Sequence, residues 1–142
     1  MCIRDRAGLL LSKTEGLVLQ NPLVVRQDGQ VVNWPARLSA LGMKFSVRSR
    51  VADGARLLPL QVSYAVREGW NSRLALRSMT TVPAKQFGIS DRVGSIEKGK
   101  DADLVILSGE PFSLTARVLG VMVDGELVHG VDKFKGQVDS NE

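Results

Sequence analysis

The stretch VGSIEKGKDADLVILSGEPF, Val93 to Phe112, sets a charged, glycine-marked turn directly ahead of an apolar run. Glu97 to Lys100 reads as a turn, Ala102 to Ser108 as a strand, and Gly109 to Pro111 as a second turn. A phosphate cradle would need G-x-x-x-x-G-K-[S/T] ahead of a helix, and GSIEKGK lacks that spacing. Downstream, Arg117 to Gly130 (RVLGVMVDGELVHG) reads as a β-hairpin, because Asp124-Gly125 lies between apolar runs. From Gly88 onward the pattern is strands and turns only, up to a polar tail from Lys133 to Glu142.

Upstream of Gly88 the pattern alternates. Gly16 to Val25 is an apolar run broken by Asn21 and Pro22 and reads as a buried strand leading into a turn, with Arg26 to Gln30 a loop. Asn33 caps a helix with Pro35 in its first turn, and Trp34, Leu38 and Leu41 fall on one face. Gly42 ends it. Met43 to Ser49 alternates Met43, Phe45 and Val47 with Lys44, Ser46 and Arg48, the pattern of a strand. Leu58, Val62, Ala65 and Val66 mark a second amphipathic helix, with Pro59 tolerated near its start. Asn71 or Ser72 caps a third, running through Ala75, Leu76 and Met79. Thr80 to Gly88 bends and adds a short helical turn. Strand–helix alternation followed by strands alone predicts a parallel α/β layer and a separate small sheet. Two strand–helix pairs cannot cover both faces and both edges of a parallel sheet, so the layer reads as incomplete.

The bulk composition narrows the classes. The chain has 142 residues, 44% of them hydrophobic, enough for a packed core. Nineteen basic against fifteen acidic side chains give a net charge of +4. The basic residues are scattered, and few aromatics (Tyr64, Trp34, Trp70 and four Phe) are present to stack on bases, so a nucleic-acid partner is not expected. Cys2 is the single cysteine, which excludes an internal disulfide. No apolar run reaches the roughly 18–20 residues of a membrane span, and no membrane partner is expected. Residues 1–6 (MCIRDR) join abruptly to AGLLLSKTEGLVL and read as a non-native leader, a short translated adapter fused to a gene interior. An ordinary N-terminal tail is the other reading. Cytoplasmic and exported locations both stay open.

Leu74 to Phe112 (LALRSMTTVPAKQFGISDRVGSIEKGKDADLVILSGEPF), followed by VMVDGELV at Val121 to Val128, resembles the C-terminal signature of the amidohydrolase superfamily. Within that superfamily it is most like the imidazolonepropionase-like branch. The resemblance extends from about Pro22 to Val128 and is densest from Leu74. It implies an α/β fold in which residues 7–88 are the last strand–helix units of a (β/α)8 TIM barrel. Residues 89–132 are then strands of a composite β-sandwich, and 133–142 a tail. In such proteins the turn around Gly94, Gly99 and Lys100 lies in the sandwich, away from the barrel mouth where barrel chemistry sits. Gly99 then supplies a positive-φ turn position, and Asp103 satisfies backbone donors.

The implied reaction is hydrolysis of carbon–nitrogen bonds in small amides, cyclic amides or amidines. A divalent, zinc-type metal would activate a water and polarise the carbonyl. Most of the family's metal ligands would precede this chain, so no metal is expected on it alone and it should be inactive in isolation. The last ligand, an aspartate that also acts as base, would follow the final barrel strand at about Arg50 in FSVRSR. Arginine cannot ligate a metal and its charge repels one. Asp53, in VADG, is the nearest carboxylate. As catalytic base and metal ligand it requires the loop to bend back, whereas its setting favours a solvated turn aspartate. Arg48 and Arg50, with Arg56, are candidates to bind an anionic substrate group, or are simply solvated. His129 is the only histidine and makes no metal site by itself. Arg50 also supports an alternative: a non-catalytic relative, without the metal site, that serves as a binding or assembly module. Homo-oligomer formation stays open.

Overall fold

The computed structural model describes residues 16–20, 22–49 and 56–130. β1 (Val18–Gln20) is followed by a hairpin of β2 (Val24–Gln27) and β3 (Gln30–Asn33), by α1 (Trp34–Ala40), and by β4 (Ser46–Arg48). Three helices follow: α2 (Leu58–Arg67), α3 (Ser72–Met79) and α4 (Thr81–Gln86). β5 (Leu104–Leu107), β6 (Val118–Val123) and β7 (Glu126–Gly130) close the described chain. β1 and β4 pair in parallel, with Val18 opposite Ser46 and Gln20 opposite Arg48. β5, β6 and β7 form a separate antiparallel sheet. The described residues are thus mixed α/β, with a parallel pair and an antiparallel hairpin among the helices and a three-stranded antiparallel sheet after them. Among them, no helix is long and apolar enough to cross a membrane.

One expectation is corrected at the start. Gly16 to Val25, expected as a buried strand leading into a turn, holds β1 and then β2 in a different sheet, and β1 is largely exposed. Pro22, which has no N–H to donate to a ladder, stands between them. The predicted loop Arg26–Gln30 is mostly strand: Arg26 and Gln27 end β2, Gln30 begins β3, and only Asp28 and Gly29 turn between them. Asp28 and Gly29 have φ of 50° and 75°, the left-handed pair that a two-residue turn matched to strand twist needs.

The helices form where their caps predict. The Asn33 side chain accepts from the Ala36 N–H at 3.1 Å and starts α1. Asn71, not Ser72, caps α3, accepting from Arg73 and Leu74. On α1 the inward face is rotated from the predicted one. Pro35 is buried and Leu38 packs on the core, whereas Trp34 and Leu41 are exposed. Arg37 covers the Trp34 ring with its guanidinium 5.9 Å from the centroid, which gives that ring an outward partner. On α2 the predicted face holds: Val62 and Ala65 are buried, and Leu58 and Val66 pack beside them.

The core gathers around β4. Met43, Phe45 and Val47 are buried, as the alternation predicts, with Leu23, Val62, Ala65, Trp70 and Ala75. The Phe45 and Trp70 rings stack at 5.6 Å, and Trp70 Nε1–H donates to Ser39 Oγ at 2.9 Å. This satisfies the one polar atom of a large apolar group. Ser46, predicted to face outward, is buried at 4% exposure. Its N–H bonds the Leu17 carbonyl at 3.0 Å, which pairs this edge of β4 with the segment leading into β1, while Lys44 and Arg48 on either side of it stay exposed.

Candidate functional site

The parallel pairing brings the C-terminal ends of β1 and β4 to one edge, Gln20 beside Arg48. Arg48 is exposed there. Arg56, two residues ahead of α2, is also exposed, and neither arginine has an ion pair with a described residue. Arg50 and Asp53, the other sequence candidates, lie outside the described residues, as does Cys2. Of the proposed anion-binding cluster, the structure therefore describes two members, both open to solvent.

Among the described residues no three His, Cys, Asp or Glu side chains approach closely enough to hold a metal ion. His129 lies on β7 opposite Val121, exposed in the antiparallel sheet.

The charged turn that precedes β5 braces itself. Lys100 Nζ donates to Ser95 Oγ at 2.6 Å and lies 3.5 Å from a Glu97 carboxylate oxygen, with its own side chain only 13% exposed. The Ser95 hydroxyl, and secondarily the Lys100 charge, hold the Glu97 carboxyl below the usual carboxylate range; Lys85 adds to this. Arg92 reaches Asp101 at 2.6 Å, and the Asp101 N–H bonds the Arg92 carbonyl at 2.9 Å, closing the loop between them. That contact, chiefly its hydrogen bond, raises the Arg92 pKa further. Gly99 has φ of 87°, as the turn requires. Asp103 Oδ1 accepts from the Asp124 N–H at 3.0 Å, so this carboxylate does serve a backbone donor, one lying in the β6–β7 turn. Gly94 is fixed twice over. Its φ is 96°, and a Cβ there would lie 2.6 Å from Ala84 Cβ and 3.1 Å from the Thr80 carbonyl oxygen.

A cavity of about 590 Å³ lies at the other end of β4 from Arg48. Met43 to Phe45, α3, α4 and the 90–100 turn wall it. Its rim carries Lys44, Arg77, Lys85 and Lys100 against one carboxylate, Glu97. These cations come from separate elements, so no spacing in the sequence could have grouped them. A smaller, mostly apolar cavity of about 250 Å³ lies between Leu23, just after β1, and Leu60 and Tyr64 of α2.

Comparison with known proteins adds the relationship. The family model described as "Amidohydrolase family" matches residues 28–128. The imidazolonepropionase of Thermoplasma acidophilum is 26% identical over 131 residues, covering 78% of this chain and 32% of that protein. The N-acetylglucosamine-6-phosphate deacetylase of Haemophilus influenzae is 40% identical over 52 residues, covering 37% of this chain and 12% of that enzyme. Among solved structures, an amidohydrolase from Thermotoga maritima superposes with a TM-score of 0.72 at 29% identity, over 89% of this chain and 35% of that one. The chain thus spans about a third or less of the length of each of these relatives.

Proposed function

The chain belongs to the amidohydrolase family, and from that premise we propose that it is the C-terminal portion of a hydrolase acting on carbon–nitrogen bonds other than peptide bonds, in small amides or cyclic amides. The observation that carries this reading is the family match over residues 28–128. The names of two relatives, a deacetylase and an imidazolonepropionase, support the substrate class. In this reading residues 7–88 are the end of a (β/α)8 barrel and residues 89–132 the strands of a composite sandwich. The parallel β1–β4 pair with a helix between its strands, and the separate antiparallel sheet, support that division.

The shared end of β1 and β4 is then the barrel mouth. Arg48, with Arg50, meets an anionic group on the substrate, and Asp53 takes the role of base and metal ligand. The described residues do not make a metal site, so no catalytic step is assigned to them. The remaining ligands belong to a longer parent, and the chain alone is inactive. Arg50, at the position where the family's aspartate is expected, favours a second reading, a relative that has lost its metal site and serves in binding or assembly.

Extension of the source reading frame upstream of Ala7 tests both readings. Further strand–helix units with an H-x-H pair and two later histidines support the hydrolase. Its full-length protein should then bind a divalent metal and hydrolyse N-acyl or cyclic amides, and Asp53→Ala should abolish turnover. A barrel without those histidines supports the non-catalytic relative. A genuine start at or near Met1 sinks the fragment reading.

A further inference from the structure

We propose that the cavity between the start of β4, α3, α4 and the 90–100 turn is a binding site for a small molecule bearing a phosphoryl group, separate from the barrel-mouth edge marked by Arg48. The cavity's volume, about 590 Å³, lies within the range of small-molecule pockets. Its rim holds four cations and one carboxylate, a local charge of +3, although the chain as a whole carries only +4. A concave wall of one sign concentrates its field on the space it encloses.

Three of the four cations lack an ion-pair contact among the described residues, although the Lys85 charge acts on Glu97 from a distance. Lys44, Arg77 and Lys85 form no ion pair with any described residue, and all three are exposed. Lys100 differs: it is largely buried and held by Ser95 and Glu97, so it forms a fixed positive wall rather than a mobile arm. The cations approach from different elements, Lys44 from the segment before β4, Arg77 from α3, Lys85 from α4 and Lys100 from the turn. Cations drawn from four elements around one cavity suit an anion of high charge, and lysine and arginine both bind phosphoryl oxygens through charge-assisted hydrogen bonds. The same lining leaves room beside the charged rim for the body of a phosphorylated molecule, over apolar surface from Met43 and Phe45.

Isothermal titration of the 142-residue chain with inorganic pyrophosphate at low ionic strength tests the site. One saturable site is expected, and Lys85→Ala and Arg77→Ala should each weaken it by about tenfold or more. Arg77→Lys should recover part of the loss. Arg26→Ala, which removes a cation from the β2–β3 hairpin, should change nothing. Near-ultraviolet circular dichroism establishes that each variant keeps its fold. Should an alanine variant unfold, Lys85→Gln and Arg77→Lys carry the same comparison. No saturable binding at concentrations on the order of millimolar overturns the proposal. So does an equal effect of Arg26→Ala, which would mean diffuse attraction to a basic chain. Succinate binding as tightly as pyrophosphate overturns the phosphoryl assignment. No turnover or metal enters the measurement, so failure here leaves the hydrolase reading intact, and failure of that reading leaves this one intact.

Discussion

Asn33 joins two helices through one amide. Its Oδ1 accepts from the Ala36 N–H and starts α1, while its Nδ2 donates to the Ala65 carbonyl at 2.7 Å and the Glu68 carbonyl at 3.2 Å, at the end of α2. The side chain is buried at 6% exposure, so water cannot readily replace these partners. Asn33→Ala removes a cap, about 1 kcal/mol, and strands the carbonyls that two hydrogen bonds of about 1 kcal/mol each had satisfied. The expected loss is about 3 kcal/mol, a large share of the ~5–15 kcal/mol typical of a domain. Asn33→Asp is the sharper test. It keeps the cap acceptor but points a carboxylate at two carbonyl oxygens. Burial and those oxygens both raise the folded-state pKa above the unfolded value of about 3.9. The protonated acid can still donate to one carbonyl. This variant should therefore be most stable below about pH 4 and should lose about 1.4 kcal/mol per pH unit as pH rises toward its folded pKa. Urea unfolding followed by the fluorescence of buried Trp70, at several pH values and against the parent chain, reads both effects. An Asn33→Asp variant whose stability tracks the parent across this range would refute the reasoning, since its carboxylate would then meet no uncompensated oxygens.

Other outcomes follow from the turn and its supports. Gly94→Ala combines a left-handed backbone with a contact against Ala84 Cβ and should cost about 1–3 kcal/mol or more in urea unfolding. The same change at Gly109, which has open space and no positive φ, should cost far less. Ser95→Ala should move the Glu97 carboxyl back toward the ordinary range, as read by carbon-detected NMR titration. With its pKa depressed in the folded chain, Glu97 stabilises the fold above the ordinary carboxylate range, and that contribution fades as pH falls through the lowered pKa. An unchanged titration in Ser95→Ala would contradict the assignment of Ser95 as the main cause. Arg92→Ala breaks an ion pair whose arginine side chain is 68% exposed and screened by solvent, so urea unfolding should show only a slight loss of stability, one that shrinks further in high salt.

Much of the fold was legible because its signals are local. The Asn33 and Asn71 caps, the α2 face and the Asp124-Gly125 hairpin each depend on residues within a few positions. The same Asp-Gly signal at Asp28-Gly29 was legible too, but the preceding apolar run masked it, because periodicity alone does not tell one strand from two. The outward Trp34 was not legible: the face of α1 that turns inward, with Pro35 and Leu38, is chosen by packing against core residues distant in sequence. The burial of Ser46 depends on β1, distant in sequence. At the site, the sequence singled out Arg48 and Asp53 from a resemblance in order and spacing. The cations around the cavity were beyond it, because only the packing of α3 and α4 on the segment before β4 brings them together.

The hydrogen bond from the Asp124 amide to Asp103 spans 21 positions and ties the strand that begins the sheet to the hairpin that ends it. Such a tie sets an order in time. The β6–β7 hairpin can close by itself in roughly microseconds, guided by its Asp-Gly turn. β5 must then find it across the intervening chain, where closure is entropically slower. Asp103 meets its amide only once that docking is complete, so it acts as a late latch. Its loss should speed the opening of the sheet and leave its formation nearly unchanged, a split that rapid-mixing kinetics of Asp103→Ala would show as a rise in the unfolding rate alone.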